Sequence, residues 1–394
     1  MSDSNFAQAL DDLSTWCRKH DFAGYDPFDA LNSRIFKATP LRNSAAARLL
    51  WTQTVKRSPL NLRGIALIRP EQNSKGIALF ALAALANYRR KRTPEAEAEA
   101  RKLLQQLISL RLTHGSGIAW GYNFDWQSRV FFAPRGTPTI VPTAFAARAL
   151  VEAGDAFGDK SYLELARAAC DFIVHELPRS VENDSEVCFS YAPETNTRIF
   201  NASLLAAETL ALVSARDAAS ENCGLAVKAV RYVVNQQRED GSWFYGADPN
   251  QDWIDNFHTA YLLSSLKRIG DSCAPAEAEE FKAALQRGYA FWRKGFFLAD
   301  GWAKYYHDTL YPVDTHAAAA AIVSLLDLTE LDQDARSLAE QIATWSIRHL
   351  RDRRGFFYYQ RRRFYTVHTP FMRWTQAWMT YALARLLETA EQSS

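Results

Sequence analysis

The feature that most constrains this sequence is a sixfold recurrence of buried-type helices. Six Ala/Leu-rich stretches, poor in charge over their first turns, start at N-cap type or polar residues spaced roughly sixty residues apart. Asn73-Ser74-Lys75 opens GIALFALAAL, Pro142-Thr143 opens AFAARALVEAG, and Asn201-Ala202-Ser203 opens LLAAETLALV. Asn256-Phe257-His258 then opens TAYLLSSLKRIG, Asp314-Thr315-His316 opens AAAAAIVSLLDL, and Trp374-Thr375-Gln376 opens AWMTYALARLLE. A helix apolar on all sides must be surrounded by protein, so these are inner helices.

Between them lie amphipathic segments with charge on one face: AEAEARKLLQQLISLRL, SYLELARAACDFIVHEL, LAVKAVRYVVNQQ, EEFKAALQRGYAFWRKG and ARSLAEQIATWSIRHL. These read as outer helices. An aromatic turn follows each: Trp120-Gly121-Tyr122, Phe189-Ser190-Tyr191, Trp243-Phe244-Tyr245, Trp302 to Tyr305, and Phe356-Phe357-Tyr358. A short extended segment then delivers the chain to the next inner helix. Inner and outer helices alternating in one sense predict an all-α fold, an (α/α)6 toroid of six helical hairpins with short β-like aromatic turns at the mouth. Residues 1–394 are expected to form this one domain, with residues 1–65 as a helical and loop extension packed on it.

Composition narrows the setting. Hydrophobic residues make up 48 % of the chain, enough for a large core. The net charge of +2 gives no general attraction to nucleic acid. No run has the length and apolarity of a membrane span, and the N-terminal MSDSNFAQALDDLSTWC lacks a signal-peptide core, so a soluble bacterial-type cytoplasmic protein is expected. The five cysteines (Cys17, Cys170, Cys188, Cys223, Cys273) form no CxxC or CxxH pattern, and their odd count fits reduced thiols.

The toroid dictates where chemistry can sit. Inner helix N-termini share one mouth and carry partial positive charge and free N–H groups, which favours an anionic ligand. Two of the six also bring titratable pairs there. Asp255 and His258 stand three residues apart on one helix face, and Asp314 and His316 occupy the matching place one unit later. Asp and Asn also cap helices, and a histidine near a helix start can be a core residue, so the recurrence in adjacent units is what singles out His258, His316, Asp255 and Asp314 as candidate acid/base groups.

Asn256, Asn201, Asp125, Trp126, Arg129, Trp253, Tyr245, Tyr305, Arg373 and Trp374 cluster at the predicted mouth as candidate binding residues. Sugars stack on Trp and Tyr, and Arg pairs with carboxylates, so this set suits an acidic saccharide. The repeated aromatics of the turns can equally be wedges between units. Two basic stretches, Lys56-Arg57 to Arg63 and Arg348 to Arg363, flank the mouth as either solvated faces or anchors for an acidic polymer. No nucleic-acid recognition motif is present and no cofactor is expected; His258, His316, Asp255 and Asp314 could together ligate a metal, although their spacing is no zinc signature.

The run VRYVVNQQREDGSW, with Gln236, Gln237, Asp240, Gly241 and Trp243, resembles the QW repeat of squalene and hopene cyclases, which are also α/α toroids. Val313-Asp314-Thr315-His316 lacks the paired acids of the cyclase DxDD motif, and there is no DDxxD. The mouth, with RWTQAWMTYALARL, is similar to six-hairpin glycosidases such as the unsaturated glucuronyl hydrolases. YDPFDALNS, KRSPLNLR, NSKGIALF, DGSWFYG and IDNFHTAY resemble a bacterial family of exopolysaccharide and O-antigen loci that carries prenyltransferase-like or aminolevulinate dehydratase names. The latter name implies a β/α barrel, contrary to this helical pattern.

These readings converge on a carbohydrate-active enzyme of bacterial surface polysaccharide metabolism. It would act on an acidic, uronate-containing polysaccharide or oligosaccharide by His/Asp acid-base chemistry, as a lyase, epimerase or hydrolase. Arg373 and Arg129 would hold the substrate carboxylate, and contact with the polysaccharide assembly machinery is compatible. A prenyl or terpenoid cyclase-like enzyme and a non-catalytic polysaccharide-binding toroid are the alternatives.

Overall fold

The computed structural model describes residues 3–129, 131–217 and 222–392. Inner helices α4 (Ser74–Lys91), α6 (Ile140–Phe157), α8 (Phe200–Ser214), α10 (Asn256–Ser272), α12 (Thr315–Asp327) and α14 (Trp378–Gln392) each pack on the next, and α14 returns to α4. Outer helices α5 (Pro94–Ser109), α7 (Lys160–Glu176), α9 (Cys223–Asn235), α11 (Pro275–Phe296) and α13 (Ala335–Leu350) back the first five in turn. The fold is an (α/α)6 toroid. Among the described residues no helix is long and apolar enough to cross a membrane.

Its sixth outer position is filled from the other end of the chain. Helix α1 (Asp3–Lys19) lies on α14 and buries Phe6, Leu10, Leu13 and Cys17 in the common core. The turn glycines show the equivalence. Gly301, at φ +89°, sits so close to α13 that a Cβ would meet the Gln341 carbonyl at 2.4 Å, and Gly355, at φ +100°, presses in the same way on the Asp12 carbonyl of α1 at 2.8 Å. Glycine is the residue that tolerates both the left-handed backbone and the close approach.

The inner helices form because their polar starts are satisfied and everything beyond is apolar. Asn73, Asp255 and Asp314 cap α4, α10 and α12 by accepting backbone N–H groups of the first turn. From Ser74 to Ala86 every residue of α4 is buried, and the Ala317 to Ala321 run lets neighbours of α12 approach closely. The first aromatics of the turns are the wedges. Trp120 and Trp243 are fully buried and donate their indole N–H to Leu107 O and Val233 O of the preceding outer helices. Gln237 of the QW-like run ties its turn to α11 through Gly241 O and Ala284 O, so that run is spent on joining hairpins.

Residues 24–71 cross the mouth, carrying short helix α2 (Arg34–Lys37) and helix α3 (Ala45–Arg57). A small core of Ala30, Val55, Ala66 and Ile68 holds this cap together. Buried Arg63 pins it further, pairing with Asp29 at 2.8 Å and donating to Asp26 O.

Candidate active site

Beneath the cap lies a pocket of about 350 Å³. The turn tyrosines Tyr122, Tyr191, Tyr245 and Tyr305 line it, one step along from the wedge aromatics that face the core. Trp126, on a two-residue strand, and Trp253, stacked on Tyr245 at 4.3 Å and 17°, add broad faces. Burial pushes the phenols of Tyr191, Tyr245, Tyr261 and Tyr305 upward, so they stay neutral.

The two expected histidines come together here. His258 is partly exposed, and its Nδ1 lies 2.7 Å from Oδ2 of Asp255, a carboxylate that also receives the Trp253 indole N–H. His316 is fully buried on the neighbouring helix. Both imidazoles pack on Phe257, at 4.0 Å for His258 and 4.7 Å for His316. Burial, with Lys75, Arg373, His258 and Lys56 nearby, pushes His316 well below the usual histidine range. It is therefore neutral. Asp255 is the single carboxylate among the lining residues.

Four expected site residues are placed differently. Asp314 lies behind the pocket wall, fully buried, where it accepts the N–H groups of His316 and Ala317, the Trp374 indole and the Gln360 amide. Its lone pairs are spent on holding helix and wall, which leaves it no route to a substrate. Asn256 also faces away, accepting from Trp292 and donating to Lys304 O. Asp125 sits outside the lining, bound to Lys37 and the Arg135 backbone. Arg373 does line the pocket, but Asp26 of the cap takes its guanidinium in a two-point pair at 2.6 and 2.8 Å. Its charge is already matched, so it is a poor holder of a substrate carboxylate.

The remaining expected residues reach the pocket. Asn201 is buried with its amide oxygen unpartnered among the described residues, Trp374 forms the wall in front of Asp314, and exposed Arg129 lies over Trp253 at 5.0 Å. A π-helical turn, Met372–Ala377, starts the sixth inner helix and carries both Arg373 and Trp374.

Two further cations matter. Lys56 of α3 holds its ammonium over Phe28 at 4.1 Å and Trp374 at 5.6 Å. Burial lowers it to about 8 and raises Asp314 to about 6, each opposed by the other's charge. Lys75, in the first turn of α4, belongs to the polar start read from the sequence but not to the expected site residues. Its Nζ is enclosed by Phe145, Tyr261 and Trp378 and touches the Tyr261 hydroxyl at 3.3 Å. Burial, then the Arg373 charge, pushes it well below the lysine range. The basic run from Arg348 to Arg363 stays out of the lining; Arg351 pairs with Asp12 and Arg354 with Asp352.

No protein-family model matches the sequence, and no curated protein matches it either. Solved structures do. A sugar epimerase from a ruminal bacterium superposes with a TM-score of 0.67 over 99 % of both chains at 13 % identity. Cellobiose 2-epimerase from Bacillus thermoamylovorans B4167 gives 0.61 over 82 % of this chain and 88 % of its own at 14 % identity. An unsaturated glucuronyl hydrolase specific for heparin gives 0.60 over 83 % and 88 % at 15 % identity. The likeness is one of fold.

Proposed function

We propose that this chain is a sugar-modifying enzyme that moves a proton at a carbon next to the carbonyl or carboxylate of an acidic saccharide. The observation that carries this reading is the pair of histidines at one mouth, packed on one Phe257 ring, with a single carboxylate fixing one of them. An imidazole has a reference pKa near neutrality, which suits proton abstraction and return. Hydrolysis by the usual route needs two carboxylates in reach of the substrate, and the lining supplies one. Epimerisation or elimination is favoured over hydrolysis for that reason. Toroids of this shape that are named as epimerases add weight.

The acidic character of the substrate rests on charge. Lys56, Arg57 and Arg129 line the pocket opposite one carboxylate that is engaged with His258. The same cations oppose a cyclase, because a carbocation intermediate beside them would be repelled despite the aromatic walls. Closure by α3 points to a short saccharide or a chain end. The sequence resemblance to proteins of exopolysaccharide loci supports a place in bacterial surface polysaccharide metabolism, in the cytoplasm and beside the assembly machinery.

The test is a panel of uronic acids, their oligosaccharides and neutral sugars, with wild type and His258→Ala compared. Turnover of acidic members alone, lost in the variant, is expected. Binding without turnover in both proteins would overturn the reading in favour of a non-catalytic toroid.

A further inference from the structure

Three inner helices place one hydrogen-bonded chain at the pocket floor. Lys75 Nζ of α4 lies 3.3 Å from the Tyr261 hydroxyl of α10, which lies 2.6 Å from His316 Nε2 of α12. All three side chains line the pocket. The other imidazole nitrogen, His316 Nδ1, is buried with no hydrogen-bond partner among the described residues. Trp378 holds the arrangement, stacked on Tyr261 at 5.4 Å and on His316 at 5.0 Å.

The direction of this chain depends on Lys75. A phenol has one proton to give, and a neutral imidazole carries one proton on one of two nitrogens. An ammonium can only donate, so it would make Tyr261 accept from Nζ and donate to Nε2, which leaves the His316 proton on Nδ1. A neutral amine can accept from Tyr261. The hydroxyl then accepts from Nε2–H, and Nδ1 keeps a bare lone pair.

The surroundings of Lys75 open the second arrangement, and the buried Nδ1 favours it, because an N–H there would have no acceptor among the described residues. Among the described residues it has no carboxylate partner, it is 3 % exposed, and its Nζ is enclosed by three aromatic rings. It also stands in the first turn of α4, at the positive end of the helix. Arg373 and Arg148 face it, while the nearby Asp26 is engaged by Arg373. Cation–π attraction favours the ammonium, but less than the loss of hydration without a counter-ion disfavours it.

We propose that Lys75 is a positioning residue that, through the Tyr261 hydroxyl, holds the His316 proton on Nε2 and leaves Nδ1 as the proton acceptor of the site. This rests on the reading of His316 as an acid/base group and gives the two histidines different tasks. His258, held by Asp255 at Nδ1, presents Nε2 as the donating side of the pair; His316, among Lys75, Arg373, His258 and Lys56, is built to stay neutral. A proton donor and a proton acceptor on neighbouring helices are what abstraction and return on a sugar carbon require.

The test needs no substrate. Protein labelled with 15N at histidine gives long-range 1H–15N spectra in which a bare and a protonated ring nitrogen are far apart. Expected in the wild type is His316 with Nε2 protonated and Nδ1 bare. In Lys75→Met the hydroxyl has only Nε2 left to donate to, and the His316 proton moves to Nδ1. Tyr261→Phe releases the ring to a mixture of both tautomers, while the His258 signals stay in place throughout. A wild-type His316 protonated on Nδ1, or an unchanged His316 spectrum in Lys75→Met, would overturn the proposal. Should Lys75→Met not fold, the wild-type and Tyr261→Phe spectra decide. The expected tautomer together with no turnover of any sugar would sink the enzymatic reading, and with it the acceptor task of Nδ1, and leave only the hold of Lys75 on the tautomer standing.

Discussion

Asp255 Oδ2 lies 2.7 Å from His258 Nδ1 while Oδ1 of the same carboxylate accepts the His258 backbone N–H at 3.0 Å. One side chain thus caps α10 and orients the imidazole, leaving Nε2 as the nitrogen able to meet a substrate. Asp255→Asn keeps a cap and removes the carboxylate that orients the imidazole. Turnover should fall by about 10²-fold or more with the melting temperature nearly unchanged. Equal turnover in the variant would remove the pair from the chemistry.

The Lys56 ammonium is available to an acidic saccharide only below about 8. Affinity for a uronate, measured by calorimetry, should therefore weaken as pH rises from 7 to 9, and Lys56→Met should abolish that dependence. Stability runs the other way. Between about 8 and the ordinary lysine value the unfolded chain binds more protons than the folded one, so the folded state gains as pH rises through this window. A melting temperature that fell there, and fell equally in Lys56→Met, would contradict the assignment.

Asp26 and Arg373 are both nearly fully buried and close the cap onto the sixth inner helix across 347 residues of sequence. Asp26→Asn strands a guanidinium in the interior, at a cost of about 3–5 kcal/mol by chemical denaturation. Pairing it with Arg373→Met should recover part of that loss. Two additive losses would show that the groups act independently.

Gly355→Ala puts a Cβ where φ is +100° and the Asp12 carbonyl lies 2.8 Å away. The expected result is a loss of more than about 1 kcal/mol and faster proteolysis within α1. Unaltered proteolysis of α1 would mean that this turn does not hold the chain's two ends together.

Much of this architecture is legible in the sequence because burial writes itself into composition. The inner helices announce themselves by the absence of charge, and the outer ones by its periodicity. The sixth outer helix escapes that reading because its partner, α14, lies at the opposite end of the chain, although Phe6, Leu10, Leu13 and Cys17 have helical spacing. The site is legible only where a residue type implies its direction. His258 and His316 reach the pocket, whereas Asp314, the N-cap of α12, and Asn256, the first residue of α10, are turned away by the indoles of Trp374 and Trp292 and the Lys304 carbonyl, partners that only tertiary packing supplies. Arg373 offers no hint of Asp26, Lys75 reads only as part of a polar helix start, and Tyr261 lies in a stretch that reads as plain core.

The central claim is proton transfer at a sugar carbon by the two histidines. The most direct measurement is incubation of uronic acids and their oligosaccharides with the enzyme in deuterated water, read by proton NMR. Deuterium entering at the carbon next to the carboxylate or carbonyl with an inverted centre, or a new double bond at that carbon, with either product lost in His258→Ala, is the predicted result. Products that form with neither deuterium at carbon nor a new double bond, or inversion or elimination that persists in His258→Ala, would contradict it.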